Sequence, residues 1–171
     1  MFRRNGLVVL GSLLIIGALS GCLPGEDAML EQNKQLVRRA FDEVWNKGNL
    51  DNLEEMFAAD FVRHFPGMPE LEGLDDFRES SVGHRASFPD WQEEVLHLIA
   101  ENDLVAAQFR STATHQGKFM GKAATGNKIN IYEMTIFRIA DGKIAEQWLI
   151  PDRLSLTKQL EVVIDADTSG E

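Results

Sequence analysis

The sequence predicts an α+β domain in which helices come first and a meander of antiparallel strands follows. Apolar residues recur at helical spacing up to Phe88 and at two-residue spacing from Trp91 to Pro151. The order of these segments supplies the third observation: helices followed by strands pack with the helices on one face of a curved sheet.

Leu36, Val37, Ala40, Phe41, Val44 and Trp45 lie on one helical face, with charges between them, and the run ends at Gly48, a glycine C-cap. Leu50, Leu53, Met56 and Phe57 repeat the pattern in a shorter helix. Residues 60–65 form a brief strand ending at Pro66-Gly67. After a loop over 66–73, Leu74, Phe77, Ser81, His84 and Phe88 mark a third helix. Four strands follow, over 91–100, 104–115, 128–140 and 143–151, with hairpin signals at Glu101-Asn102-Asp103 and Asp141-Gly142. The connection over 116–127 holds three glycines and reads as a long mobile arm. Helical spacing returns over 152–163 through Leu154, Leu156 and Leu160, before an acidic tail over 164–171.

The N-terminus carries an address rather than fold information. Arg3 and Arg4 precede an uncharged apolar stretch over residues 7–19, the arrangement of a secretory signal, too short to span a bilayer comfortably. Leu19-Ser20-Gly21-Cys22 resembles a bacterial lipobox, in which residues 1–21 are removed and the Cys22 thiol takes acyl chains such as palmitate. More than one chain gives stable attachment, so the expected place is the bacterial cell envelope, outside the cytoplasm. Residues 22–32 then serve as lipidated cysteine and tether, and 33–163 as the domain.

Composition narrows the function classes. The 171 residues are 44% apolar and 26% charged, with a formal charge of −10, which fits one globular domain. Without Arg3 and Arg4, 15 basic side chains face 27 acidic ones, a charge of −12. Such a surface repels phosphate backbones, so nucleic acid is not an expected partner. The lone cysteine excludes an internal disulfide and a cysteine-based zinc site. His64, His84, His97 and His115 lack metal-ligand spacing, and no nucleophile elbow, phosphate loop or dinucleotide fingerprint occurs. Neither a metal nor a cofactor is expected. What remains is acid and base chemistry by carboxylates or imidazoles in an apolar interior.

Register arithmetic about Asp141-Gly142 sets Ile139 opposite Ile144, Phe137 opposite Glu146, Thr135 opposite Trp148, and Glu133 near Ile150. One face then carries Phe137, Ile139, Ile144, Trp148 and Ile150, with Glu133 and Glu146 among them. Each candidate has a structural alternative. His64, beside the Pro66-Gly67 bend, projects into the space under the helices or is satisfied by a backbone carbonyl. Glu133 and Glu146 face that space or pair with Arg138, Arg110 or a helix lysine. Asp152 follows the last strand and serves equally well as a helix N-cap. His115, where a strand leaves for the arm, reads more readily as a surface residue than as a ligand. Trp91 and Trp148 are core or cavity wall.

Three stretches carry a resemblance: AFDEVWNKGNLDNLEEMFAADFVRH, FPDWQEEVLHLIAENDLVAAQFRSTATHQGKFMGKAATGNKI and IFRIADGKIAEQWLIPDRLSLTKQL. Together they resemble the SnoaL-like polyketide cyclases, also called ester cyclases, of the nuclear transport factor 2-like superfamily. The resemblance implies a cone-shaped barrel: a strongly curved, mainly antiparallel sheet wrapped over three N-terminal helices, with a short C-terminal helix. It implies an apolar cavity and a homodimer through the sheet face. It also implies ring closure by intramolecular aldol condensation, with one aspartate as general base and acid. The motif position for that aspartate is Asp152, with His64 beside it and His115, Glu133, Trp148, Trp91 and Phe65 as substrate-binding wall.

Three functions follow as expectations. The first is a cofactor-independent cyclase, isomerase or hydratase acting on a small hydrophobic carbonyl compound. The second is a non-catalytic pocket for a small apolar ligand at the envelope. The third is an interaction module using the outer sheet face. An export signal sits uneasily with cyclases that tailor polyketides in the cytoplasm, and fold alone does not establish chemistry.

Overall fold

The structure, a computed structural model, describes residues 24–161. The signal, Cys22 and the acidic tail lie outside the described residues. Among the described residues no helix is long and apolar enough to cross a membrane.

Helix α1 runs Pro24–Ala40 and continues as a π-helical turn over Phe41–Asn46. Most of the expected tether is therefore helical. Proline is tolerated in a first helical turn, where its missing N–H has no partner, and Glu26 and Asp27 complement the positive helix end. Gly25 to Met29 stay exposed, and the helix becomes buried only from Asn33 onward. Helix α2 is one turn, Leu53–Met56, and strand β1 follows at once over Phe57–His64. The loop after β1 contains a two-residue strand, β2 (Leu71–Glu72), that the sequence does not announce. Helix α3 spans Gly73–Ser87. The meander is β3 (Gln92–Glu101), β4 (Leu104–Thr114), β5 (Lys128–Ala140) and β6 (Lys143–Pro151), and α4 (Arg153–Leu160) closes the chain.

The six strands form one sheet in the order β2-β1-β6-β5-β4-β3, antiparallel throughout except between β1 and β6. The sheet does not close on itself, so α1, α2 and α3 complete the cone by covering its concave face. Asp141 and Gly142, at φ of 51° and 73°, make the expected tight turn, since both central positions of such a turn need positive φ. Ile139 pairs with Ile144 as the register arithmetic requires.

Beyond that pair the expected register fails. The ladder slips by one residue, so that Arg138 pairs with Glu146, Phe137 with Gln147, Ile136 with Trp148 and Glu133 with Pro151. Ile144 and Ala145 are both buried, the signature of an inserted bulge residue. Because side chains alternate, one extra residue sends every later side chain to the other face. Gln147 and Leu149 therefore point inward with Phe137, whereas Glu146, Trp148 and Ile150 point outward.

Two clusters fill the cone. The larger joins Val37, Phe41 and Val44 of the first helix to Phe57, Phe61, Phe77, Phe109 and Phe137. Trp45 packs its ring against Phe57 and Phe77 at centroid distances of 6.2 Å. Each such large apolar side chain, fully buried, contributes roughly 1.5–3 kcal/mol. The smaller cluster holds Phe88, Trp91, Ala113, Ile129, Ile131 and Leu160. The glycine-bearing arm is pinned, contrary to expectation. The N–H groups of Gln116 and Gly117 donate to the Ser87 carbonyl at 2.9 and 3.0 Å, and the Ser87 hydroxyl donates to the Lys118 carbonyl at 2.8 Å. Gly117 is required for this approach: a Cβ there would lie 2.3 Å from the Ala86 carbonyl oxygen.

Candidate functional site

The two apolar clusters are separated by a polar layer. Along β4 the inward positions Phe109 and Ala113 flank Ser111, and along β5 the inward positions Ile131 and Thr135 flank Glu133. Glu93 on β3 faces Ser111 in register. Arg63 on β1 stands opposite Gln147 on β6, and His84 reaches in from α3. Arg63, His84 and Glu93 are half-buried.

Each member is held from outside the layer. The Ser111 hydroxyl donates to Glu133 Oε1 at 2.5 Å. Trp91 Nε1–H donates to Glu93 Oε1 at 2.8 Å. Asn46, at the end of the π-helical turn, accepts the Glu93 N–H at 2.6 Å and donates to the Glu93 carbonyl at 3.0 Å. Arg85 is committed to backbone: it donates to the Trp45 carbonyl, and to the Pro89 and Trp91 carbonyls at 3.3 and 3.4 Å. The Arg63 guanidinium lies 5.9 Å over the Phe77 ring. His84 meets Trp91 edge-on at 4.3 Å between ring centroids.

The electrostatics of the two carboxyls differ. Burial pushes Glu133 above the usual carboxylate range, while the Ser111 hydroxyl and the Arg63 charge pull the other way. Burial also raises Glu93, and the Glu133 charge raises it further, to about 8, against the opposing pull of Trp91, Arg63 and Arg85. Both carboxyls are thus desolvated, and charge on Glu133 disfavours charge on Glu93. Burial pulls His84 down to about 4, assisted by Arg63 and Arg85, so the imidazole is neutral at physiological pH. The layer thus holds two carboxyls with raised pKa values, a guanidinium and a neutral imidazole within an apolar shell.

The structure distributes the sequence-derived candidates over four places. Glu133 and Trp91 belong to this layer. His64, Phe65 and Trp148 do not: His64 projects from the outer face, stacked on Trp148 at 5.1 Å, and all three line a recess of about 220 Å³ with Pro66, Met68 and Glu70. Inward Phe61 dictates this, because two-residue alternation puts Arg63 inside and His64 outside. His64 bonds Glu70 at 2.7 Å and Glu146 at 3.2 Å. Burial pulls its pKa down, but these two carboxylates outweigh it and leave the imidazole above its ordinary value.

His115 is fully buried rather than on the surface. Its Nδ1 accepts the Thr125 N–H at 3.3 Å, which ties the arm back to β4, and its buried Nε2 has no partner. Asp152 caps α4, accepting the Ser155 N–H at 2.9 Å and the Ser155 hydroxyl at 2.6 Å. The Ser155 hydroxyl, followed by its N–H, holds the Asp152 carboxyl below the usual range. Of the two alternatives for Asp152, the geometry supplies the structural one.

Glu93, Arg63 and Ser111 were missed by sequence reasoning although the signal was present. Extending the two-residue alternation from Phe61 and from Trp91 places Arg63 and Glu93 on the inner face.

The model of the SnoaL-like polyketide cyclases matches residues 35–160. The chain is 28% identical over 130 residues to the aklanonic acid methyl ester cyclase DnrD of Streptomyces peucetius, covering 73% of this chain and 88% of the relative. Among solved structures, a protein from Jannaschia sp. CCS1 described as a SnoaL-like polyketide cyclase superposes with a TM-score of 0.74 at 26% identity, over 85% of this chain and 99% of that one. AclR from Streptomyces galilaeus, described as a hydroxylase, superposes with a TM-score of 0.70 at 30% identity, over 79% and 99%.

Proposed function

Because the chain belongs to the SnoaL-like polyketide cyclase family, we propose that it is a cofactor-independent enzyme of the cyclase or isomerase type. It moves protons on a small hydrophobic carbonyl compound enclosed in the cone. The observation that carries this reading is the convergence of two inward carboxyls, Glu133 and Glu93, both pushed above the usual carboxylate range by burial in an otherwise apolar interior. Carboxyls with pKa values raised toward neutrality can serve as base and acid in one cycle.

In a ring closure, Glu133 takes the proton from a carbon beside a carbonyl, leaving an enolate. That carbon attacks a second carbonyl of the same molecule, one carbon–carbon bond forms, and the new alkoxide takes the Glu93 proton. No atoms are gained or lost, and proton exchange with water resets both groups. The Ser111 hydroxyl occupies Glu133 Oε1 and leaves Oε2 to act. Trp91 likewise occupies Glu93 Oε1, placing the mobile proton on Oε2. Apolar walls exclude water and hold a flexible substrate near its closing geometry, which supplies rate independently of the acid and base.

The proposal extends to place and assembly. Cys22 carries the lipid anchor, so the domain stands at the bacterial envelope outside the cytoplasm. A second copy packs on the outer sheet face, where Tyr132, Met134, Ile136 and Ile150 are exposed.

Aklanonic acid methyl ester, the compound in the relative's name, is a direct test substrate. The expected product is an isomer of unchanged mass, and Glu133→Gln lowers kcat by roughly 10²- to 10⁴-fold. Turnover at the parent rate in Glu133→Gln would remove the pair from the mechanism.

A further inference from the structure

Among the described residues, the inward Arg63 guanidinium has no hydrogen-bond acceptor at its buried Nε. We propose that the cone binds a ligand carrying a carboxylate, and that Arg63, with Gln147 beside it, holds that group. This deepens the function proposed above by naming the substrate class, and it rests on the same interior being the ligand site.

Arg63 presents five donors in a planar fork, a shape that matches a carboxylate. Its Nε is buried and has no hydrogen-bond partner. Glu93 and Glu133 act on it through space only, and among the described residues no carboxylate comes within ion-pair contact of it. The other cation of the layer, Arg85, already donates to four backbone carbonyls, those of Trp45, Asn46, Pro89 and Trp91. His84 is neutral. Arg63 is therefore the cation of this layer left to receive an incoming anion, and Phe77 beneath its plane holds it facing the interior.

Gln147 supplies an independent observation. It stands opposite Arg63 in the β1–β6 register, is 2% exposed, and its buried Oε1 has no partner. A carbonyl oxygen in that position takes a donor, so it suits a hydroxyl or enol beside the carboxylate. The two unpartnered groups together fit an oxo acid with an apolar body: carboxylate on the guanidinium, enol hydroxyl on Gln147, apolar part against the aromatic wall. In its keto form such a ligand presents the carbon beside a carbonyl that Glu133 would deprotonate, and the enol that results donates its hydroxyl to Gln147 Oε1.

Phenylpyruvate and its neutral methyl ester, titrated into the full-length protein by calorimetry, test the anchor. The expected result is that the acid binds at least tenfold more tightly than the ester. Arg63→Met loses that preference, and Arg63→Lys, which keeps the charge without the fork, retains it in part. Circular dichroism checks that each variant folds; if Arg63→Met does not, Arg63→Gln, polar but uncharged, gives the second reading, the same loss of preference, whereas Gln147→Leu weakens acid and ester alike, severalfold. Equal binding of acid and ester by the parent protein, no binding of the acid at millimolar concentration, or a preference that survives Arg63→Met would each overturn the proposal. Acid binding with no protein-catalysed exchange of deuterium from D2O into the carbon beside its carbonyl would overturn the catalytic reading and leave the anchor standing.

Discussion

Replacing Glu93 by glutamine should flatten the pH dependence of stability over a defined window. The unfolded chain ionises this residue near its ordinary value of 4.5, whereas the folded protein keeps the proton to about 8. Between those values the unfolded chain binds fewer protons, so native stability falls as pH rises. Below the window both states are protonated and the residue contributes nothing; above it the full penalty is present. At about 1.4 kcal/mol per pK unit, the span corresponds to at most on the order of 5 kcal/mol. His84 acts with the opposite sign. Its folded pKa of about 4, against 6.5 when unfolded, removes stability as pH falls through that interval. The difference between parent and Glu93→Gln isolates the carboxyl from this opposing contribution. Urea unfolding at intervals from pH 4 to 9 measures it, and the variant should become progressively the more stable of the two above about pH 5. Parallel curves across the whole range would refute the placement of a protonated carboxyl in the polar layer.

Other residues give sharper, more local outcomes. Asp152→Ala should destabilise the protein by about 1 kcal/mol in chemical unfolding, because an N-cap is lost, whereas Asp152→Asn keeps the cap and should be close to neutral. Both should retain turnover of a cyclisable substrate if Glu133 is the base. Gly117→Ala should lower Tm by several degrees and make the arm sensitive to limited proteolysis, since the added methyl would lie 2.3 Å from the Ala86 carbonyl oxygen and 2.9 Å from Ser87 Cα. Ile136→Asp, on a side chain 42% exposed, should leave the circular dichroism spectrum unchanged and shift sedimentation from dimer to monomer.

Much of the fold was legible before any coordinates. The hairpin at Asp141-Gly142 and the four long strands follow from turn chemistry and two-residue alternation, and α3 from helical spacing. The start of α1 was not, because Pro24, Gly25, Glu26 and Asp27 suit a tether and a first helical turn alike. The site was legible in part. Glu133 was identified inside, but through a register that held only as far as Ile139 and Ile144. Glu146 and Trp148 were placed inside with it because nothing in the residues 143–151 marks the bulge. His64 drew attention as an imidazole, although its neighbour Arg63 shares the phase of buried Phe61.

The sequence by itself determined the fold class and the four long strands of the meander, because these depend on periodicity and turn chemistry along a short stretch of chain; the first strand, expected at 60–65, begins instead at Phe57. Only the tertiary structure decided which face each strand presents, that the arm is clasped by Ser87 and His115, and that Arg63, Glu93, Ser111 and Glu133 converge. Those are products of bulges and of contacts between residues distant along the chain. The raised pKa values of the two inward carboxyls arise there as well, since desolvation acts on a carboxyl only once its neighbours surround it.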